Sequence, residues 1–399
     1  MNSGLKNLHA YPFERLTALL EGATAADKSF ISLAIGEPKH PTPDFILEIL
    51  TSNSGDIAYY PTTKGSIELR SSIAQWLCQR FNLPESSIDA DKHILPVTGT
   101  REALFAIAQT VLGEQDETPV VILPNPFYQI YEGAAILAAA EPYYLNCTEE
   151  NEFIPDFSSV PEAIWQRCQL VYLCSPGNPS GAVVNQDHVK QLLDLAEKYD
   201  FIIASDECYS EIYLNEDEPP VGLLECANNL GNSEFKRCLV FHSLSKRSNV
   251  PGLRSGFVAG DSELIASFLR YRTYHGCSMP LHVQKASTVA WKDEAHVKEN
   301  RDKYREKFSR FCEIVNPVMD VTPPTASFYL WPKLPDSDTE FARKLYTSEN
   351  IKALPGSFLS RDINGVNPGE NRIRIALVAE VEECVEAANR IKSFIETNY

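Results

Sequence analysis

The stretch DHVKQLLDLAEKYDFIIASDECY (residues 187–209) holds one complete helix–strand unit, and its reading sets the fold class. Across Asp187–Tyr199 the apolar residues Val189, Leu192, Leu193 and Ala196 recur at i, i+3, i+4 and i+7, which predicts an amphipathic helix with Asp187 as its N-cap. Phe201–Ser205 is a nearly continuous apolar run of strand length, as expected of a strand buried on both faces. Asp206, Glu207 and Tyr209 follow at once, so polar and aromatic groups gather where the strand ends.

The same alternation extends in both directions without a sequence repeat. His93–Val97, Val120–Leu123, Leu170–Cys174 and Leu239–His242 read as further strands, and Glu102–Leu112 as a helix apolar on most sides and therefore buried. This predicts an α/β chain: a large domain with a mostly parallel sheet sandwiched by helices. After about residue 290 the texture changes to a charged helix (Asp293–Val315), short segments bounded by prolines and a final helix over Val381–Thr397. A smaller α+β domain is expected there, joined by the N-terminus, with boundaries at 51–285 for the large domain and at 1–50 plus 286–399 for the small one.

Composition narrows the function. The 399 residues are 44% hydrophobic and 23% charged, which excludes a disordered chain. With 36 basic and 54 acidic side chains the net charge is −18, which argues against a broad grip on nucleic acid or anionic membrane. No run approaches the roughly 18 to 20 apolar residues of a membrane span, and the N-terminus lacks a signal-peptide layout, so a cytoplasmic protein is expected. The ten cysteines are scattered and read as free thiols, and the histidines form no zinc-type set, so no metal is expected.

Each predicted strand delivers polar or aromatic residues at its C-terminal end. Thr98-Gly99-Thr100-Arg101 follows Val97, and Pro124-Asn125-Pro126-Phe127-Tyr128 follows Leu123. Ser175-Pro176-Gly177-Asn178-Pro179-Ser180-Gly181 follows Cys174, and Ser243-Leu244-Ser245-Lys246 follows His242, with Arg254 further on. Ligands of open α/β sheets bind outside the carboxyl ends of the strands, so these groups point to a single site. Most lysines are solvated, but one that ends a strand in a crevice is desolvated, which lowers its pKa and frees the amine to form a Schiff base. Lys246 is the first candidate. Asp206 reads equally as a turn or N-cap aspartate and as a buried anion that keeps a heteroaromatic nitrogen protonated. Asn178 fits turn chemistry and Tyr209 fits core filling, yet together they suit hydrogen bonding to a phenolate oxygen. Tyr128 either packs or stacks on a flat ring. Gly99, Thr100 and Arg101 open a helix whose free N–H groups favour a phosphate, and Arg254 with Ser243 and Ser245 would complete a clamp on the dianion. Arg374 shares a strand face with Arg372, and both solvation and a carboxylate clamp remain open.

Residues 243–256 (SLSKRSNVPGLRSG), 175–181 (SPGNPSG), 205–209 (SDECY) and Arg374 resemble, in order and spacing, the class I/II aminotransferases among the fold-type I pyridoxal-phosphate enzymes. The likeness runs from Ile35-Gly36-Glu37-Pro38 to the last strand. It implies pyridoxal 5'-phosphate as cofactor, with Lys246 forming the Schiff base, Asp206 holding the pyridinium N–H, Asn178 and Tyr209 on the phenolic oxygen and Tyr128 against the ring. Gly99, Thr100, Arg101, Ser243, Ser245 and Arg254 would hold the phosphate, while Arg374, Asn178 and the Gly36 backbone would hold the substrate. By the same resemblance Tyr60 would reach the phosphate of a partner subunit, giving a homodimer with shared sites that acts on small amino and keto acids.

Leu8–Leu16, Gly36–Pro43, Tyr60–Gly65 and Lys246–Gly252 are similar to succinyldiaminopimelate aminotransferases of bacterial lysine biosynthesis. Ser255 departs from the family signature, where an aliphatic residue is usual, and Arg270–His275 gives no clear register for a clamp on a distal carboxylate. The expected reaction moves an amino group between glutamate/2-oxoglutarate and N-succinyl-2-amino-6-oxopimelate. Other amino-acid aminotransfer and a carbon–sulfur β-lyase are the alternatives. A regulatory relative would carry an added DNA-binding domain, for which the chain has neither the length nor a basic helix.

Overall fold

The computed structural model describes residues 2–113 and 116–399. Its centre is a seven-stranded sheet built from β1 (Ile94–Val97), β2 (Val120–Asn125), β3 (Glu141–Asn146), β4 (Cys168–Cys174), β5 (Ile202–Asp206), β6 (Cys238–Ser243) and β7 (Gly256–Gly260). The spatial order is β1-β7-β6-β5-β4-β2-β3. Only β7 runs against its neighbours, pairing antiparallel with both β1 and β6. It therefore leaves β1, β2, β4, β5 and β6 pointing the same way, and their C-terminal ends share one edge. The expected α/β class with a mostly parallel sheet is what the chain adopts.

Two strands were not anticipated. β3 is a half-exposed edge strand that begins Glu141-Pro142, and β7 is a short Gly-Phe-Val-Ala-Gly segment preceded only by the short helical turns Leu244–Arg247 and Pro251–Leu253. β3 lacks the buried apolar run of the other five, and β7, though buried throughout, confines its run to three residues between glycines. The helix that follows residue 185 is Gln186–Tyr199, and its N-cap is Asn185 rather than Asp187. Asn185 Oδ1 accepts from the amides of Asp187 and His188, and Asp187 adds negative charge in the first turn instead.

Helices cover both faces of the sheet. One face packs Ile73, Trp76, Leu192, Phe257 and Trp291 into a shared core, and the other packs Leu104, Ile107, Tyr131, Tyr172 and Phe268. A separate core collects Phe308 and Phe311 of helix Ala295–Val315, Leu345, Ile375 and Phe394 of helix Val381–Asn398. The N-terminal segment joins that core, since Ile31–Ser32 pairs parallel with Ile351–Lys352. Nearby, Ile373–Ala376 lies antiparallel between Leu354–Pro355 and Tyr329–Leu330, which fixes Arg374 on a short buried strand. All ten cysteines are free. Among the described residues no helix is long and apolar enough to cross a membrane.

Candidate active site

The shared strand edge and the strand carrying Arg374 enclose a cavity of about 560 Å³. Its walls include Gly36, Thr100, Arg101, Tyr128, Asn178, Asp206, Tyr209, Ser243, Ser245, Lys246, Arg254 and Arg374. All but two of the residues singled out in the sequence meet here. Gly99 stands just behind the wall, against Arg254. Tyr60 lies apart, on the surface and fully exposed. A larger cleft of about 760 Å³ opens elsewhere, but Arg372 on its wall is already paired with Glu149 at 2.6 Å, and none of the residues singled out at the strand ends but Ser180 and Gly181 lines it.

Lys246 lies in the short helix Leu244–Arg247 that continues β6, and its side chain lines the cavity. Its Nζ donates to the Gly36 carbonyl at 2.5 Å and lies 5.3 Å from the Phe328 ring centre. Burial holds its pKa down at about 8, with Arg374 and Arg254 adding to the effect and Cys208 and Glu37 opposing it. The amine thus gives up its proton far more readily than a solvated lysine. The absent side chain at Gly36 makes room for Tyr329, whose hydroxyl a Cβ there would run into.

Asp206 closes β5 and is 5% exposed. It accepts from the Tyr131 hydroxyl at 2.7 Å and from the Cys208 amide at 3.3 Å, and among the described residues it has no cationic partner. Burial pushes its carboxyl up despite those hydrogen bonds. A buried carboxylate with no cation suits a protonated ring nitrogen, which would restore the missing charge.

At the opposite wall Arg374 Nη1 donates to Asn178 Oδ1 at 3.0 Å and Nη2 to the Ala34 carbonyl at 2.7 Å, while its guanidinium lies 4.4 Å from the Tyr329 ring centre. Neither Arg374 nor Arg372 is solvated, at 4% and 8% exposure, which closes the solvated alternative for both. Arg372 instead serves structure, donating to the Trp331 carbonyl and Glu149. Arg374 has no carboxylate partner among the described residues, which suits a carboxylate ligand. The Tyr209 hydroxyl lies 3.1 Å from that of Tyr329.

The third wall is an anion cup. Helix Thr100–Val111 begins at Gly99, whose φ of +94° and contact with the Arg254 guanidinium leave no room for a Cβ. Ser243 Oγ caps the next turn, accepting from the Ser245 amide at 3.1 Å and lying 2.9 Å from Ser245 Oγ. Arg254 donates only to the Pro251 carbonyl at 2.8 Å and has no carboxylate partner among the described residues. Free helix amides, two hydroxyls and an uncommitted guanidinium fit a phosphate dianion. Gly99→Ala should therefore displace Arg254 and weaken pyridoxal-phosphate affinity at least tenfold, as read by titrating the apoprotein with cofactor, whereas unchanged affinity would dissociate this turn from phosphate binding.

The Arg101 side chain does not join the helix-start amides of the cup. Nε donates to the Tyr128 hydroxyl at 2.6 Å and Nη2 to that of Tyr11 at 3.2 Å, so only its backbone amide belongs to the cup. Sequence reading also gave no role to Tyr11 and Cys208, although both lie in stretches that carry the resemblance, and missed Tyr131 and Tyr329, which stand in no local pattern. Outside the cavity, Glu102, His275 and Cys277 place one potential metal-ligand atom each within 4.8 Å of one another. Glu102 is already spent on Arg272, at 2.6 and 2.7 Å.

Residues 28–391 match the family described as aminotransferase class I and II. The chain is 32% identical to an LL-diaminopimelate aminotransferase of Aquifex aeolicus, covering 98% of this chain and 97% of that one. It is similar to a solved aminotransferase from Neisseria meningitidis, with TM-score 0.95, 51% identity and coverage of 99% and 100% of the two chains. A probable N-succinyldiaminopimelate aminotransferase from Thermus thermophilus aligns with TM-score 0.84 and 26% identity over 96% of this chain and 100% of that one. With these matches spanning nearly its whole length, the chain belongs to the class I and II aminotransferases, a pyridoxal-phosphate-dependent family.

Proposed function

We propose that this aminotransferase acts between glutamate/2-oxoglutarate and N-succinyl-2-amino-6-oxopimelate, in the diaminopimelate route to lysine, as a cytoplasmic homodimer. The observation that carries the catalytic part is the partly buried Lys246 amine, poised against the Gly36 carbonyl in a cavity that also presents Asp206, Arg254 and Arg374. Bound pyridoxal phosphate supplies an electron sink for negative charge at the substrate Cα. Lys246 Nζ takes the proton from Cα and later returns it, a task suited to an amine with a lowered pKa. Asp206 keeps the proton on the ring nitrogen, and Asn178 and Tyr209 hydrogen-bond the phenolic oxygen. Tyr128, on the cavity wall, would pack against the ring. Gly99, Thr100 and the Arg101 amide, with Ser243, Ser245 and Arg254, hold the phosphate, to which Tyr60 adds a hydroxyl from the partner subunit. Arg374, Asn178 and the Gly36 backbone clamp the α-carboxylate and so orient the Cα–H bond. The expected division at residues 51 and 285 shifts by several residues, since Ile46, Ala286, Ala290 and Trp291 pack into the core of the cofactor-binding lobe; the rest of 1–50 and 286–399 forms the lobe that contributes Gly36 and Arg374.

Arg101 supports the succinylated substrate. Its guanidinium stands at the cavity rim, held only by tyrosine hydroxyls, where the far carboxylate of a long acidic substrate could pair with it. A second reading, free LL-diaminopimelate as amino donor, is favoured by the name of the Aquifex aeolicus relative. A half-reaction screen followed by cofactor absorbance separates the two. Rapid conversion with N-succinyl-LL-diaminopimelate, and slow conversion with LL-diaminopimelate and aspartate, is the expected outcome. Rapid conversion with LL-diaminopimelate alone would replace the first reading by the second. Pyruvate release from cystathionine without a keto-acid acceptor would favour a lyase.

A further inference from the structure

The stretches Gly36–Pro43 and Lys246–Gly252 contain polar residues for which the reaction has no use, and two of these meet on one buried amide. Asn300, on helix Ala295–Val315, is 2% exposed. Its Oδ1 accepts from His40 Nδ1 at 2.7 Å and from Asn249 Nδ2 at 3.0 Å. Its Nδ2 donates to the carbonyls of Lys246 at 3.2 Å and Arg247 at 3.5 Å. At the other end of the same lysine, Nζ donates to the carbonyl of Gly36, in the loop that carries His40. The contacts form a closed circuit: amine to Gly36, along the loop to His40, through Asn300, and back to the Lys246 backbone. Thr42 Oγ1 adds a second tie between the loops, donating to the Asn249 carbonyl at 3.2 Å, while Asn249 itself holds a left-handed φ of +53°.

We propose that Asn300 is a positioning residue that couples the Gly36–His40 loop to the Lys246 turn, so that the amine and the carbonyl facing it keep their register. The proposal goes beyond substrate identity and rests only on Lys246 being the amine that takes the cofactor. Its physical basis is that a misplacement of about 1 Å at a reacting group costs on the order of 10²-fold in rate. Without Asn300 the loop and the turn would be joined only by the Thr42 bond and by the amine's own contact, which the reaction must break. The His40 ring lies 4.9 Å from the Tyr304 ring and stays neutral, because burial and nearby Lys307 hold its pKa at about 4. The link is therefore unchanged across the neutral range.

The test uses Asn300→Ala, His40→Phe and the double variant. Two quantities are measured: the rate of the first half-reaction with glutamate in the loaded protein, and the pH dependence of pyridoxal-phosphate capture by the apoprotein. Cys208, Arg374, Glu37 and Arg254, the groups that bias the Lys246 amine, are the same in every variant. Each single variant should bind cofactor but react roughly tenfold more slowly, and the double variant should lose no more than the worse single, because the two residues act through one link. The capture midpoint of Asn300→Ala should fall, since the ammonium form loses a firmly held acceptor. Rates within twofold of the parent, losses that multiply in the double variant, or a lowered melting temperature with an unmoved capture midpoint would overturn the proposal. Asn249→Ala takes the place of Asn300→Ala if that variant does not fold. A parent protein that captures no cofactor at Lys246 would instead overturn the assignment beneath it.

Discussion

Replacing Lys246 with alanine is expected to abolish turnover, by on the order of 10⁶-fold, and to remove the visible absorbance that bound pyridoxal phosphate acquires on its lysine. The size of the effect follows from two tasks resting on one atom. Nζ both holds the cofactor and moves the proton at Cα, and no other lysine lines the cavity. The phosphate cup is untouched by the substitution, so the variant should still bind pyridoxal phosphate, detectably by equilibrium dialysis. In the parent apoprotein, capture needs the neutral amine. With its pKa lowered to about 8 by burial, the capture rate should rise with pH and level off above that value, rather than climbing toward the ordinary lysine range. Full turnover by Lys246→Ala would end the account.

Asp206→Ala is the second large effect, with a different signature. The cofactor should still load on Lys246 and be held by its phosphate, yet the first half-reaction should slow by on the order of 10²–10³-fold, the scale of losing a preorganised charge at the reacting system. The reason is electrostatic. Asp206 is a carboxylate that burial pushes toward neutrality against the hydrogen bonds from the Tyr131 hydroxyl and the Cys208 amide. A cation at its oxygens is what would keep it charged, and the ring proton would be lost with the carboxylate. Stopped-flow absorbance measures the step directly, and rates equal to the parent would remove Asp206 from this role.

How much of this was legible in the sequence differs by residue, for physical reasons. β2, β4, β5 and β6 announce themselves because strands buried on both faces must be apolar throughout, and their ends must carry whatever binds at the edge. Lys246, Asp206, Asn178 and Arg254 follow from that rule together with short motifs. β7 escaped because five residues bounded by glycines, with only short helical turns before them, carry no periodic signal. The N-cap was misplaced by two residues because both Asn185 and Asp187 have capping side chains, and the backbone entry angle chose between them. Tyr131, Tyr329 and Asn300 lie on distant segments and reach the site only through tertiary packing. Arg101 shows the limit of a motif: its position at a helix start was readable, but the direction of its side chain depends on Tyr11 and Tyr128, far apart in sequence.

The claim on which the rest depends is that the Lys246 amine is the group that takes pyridoxal phosphate. Hydride reduction of the loaded protein fixes the cofactor to whichever amine holds it, and peptide mass mapping then locates the pyridoxyl group. One equivalent per chain is expected, on the peptide containing Ser245-Lys246-Arg247, with cleavage after Lys246 blocked. A pyridoxyl group found on any other lysine, or no fixation at all in a protein shown to be folded, would contradict it.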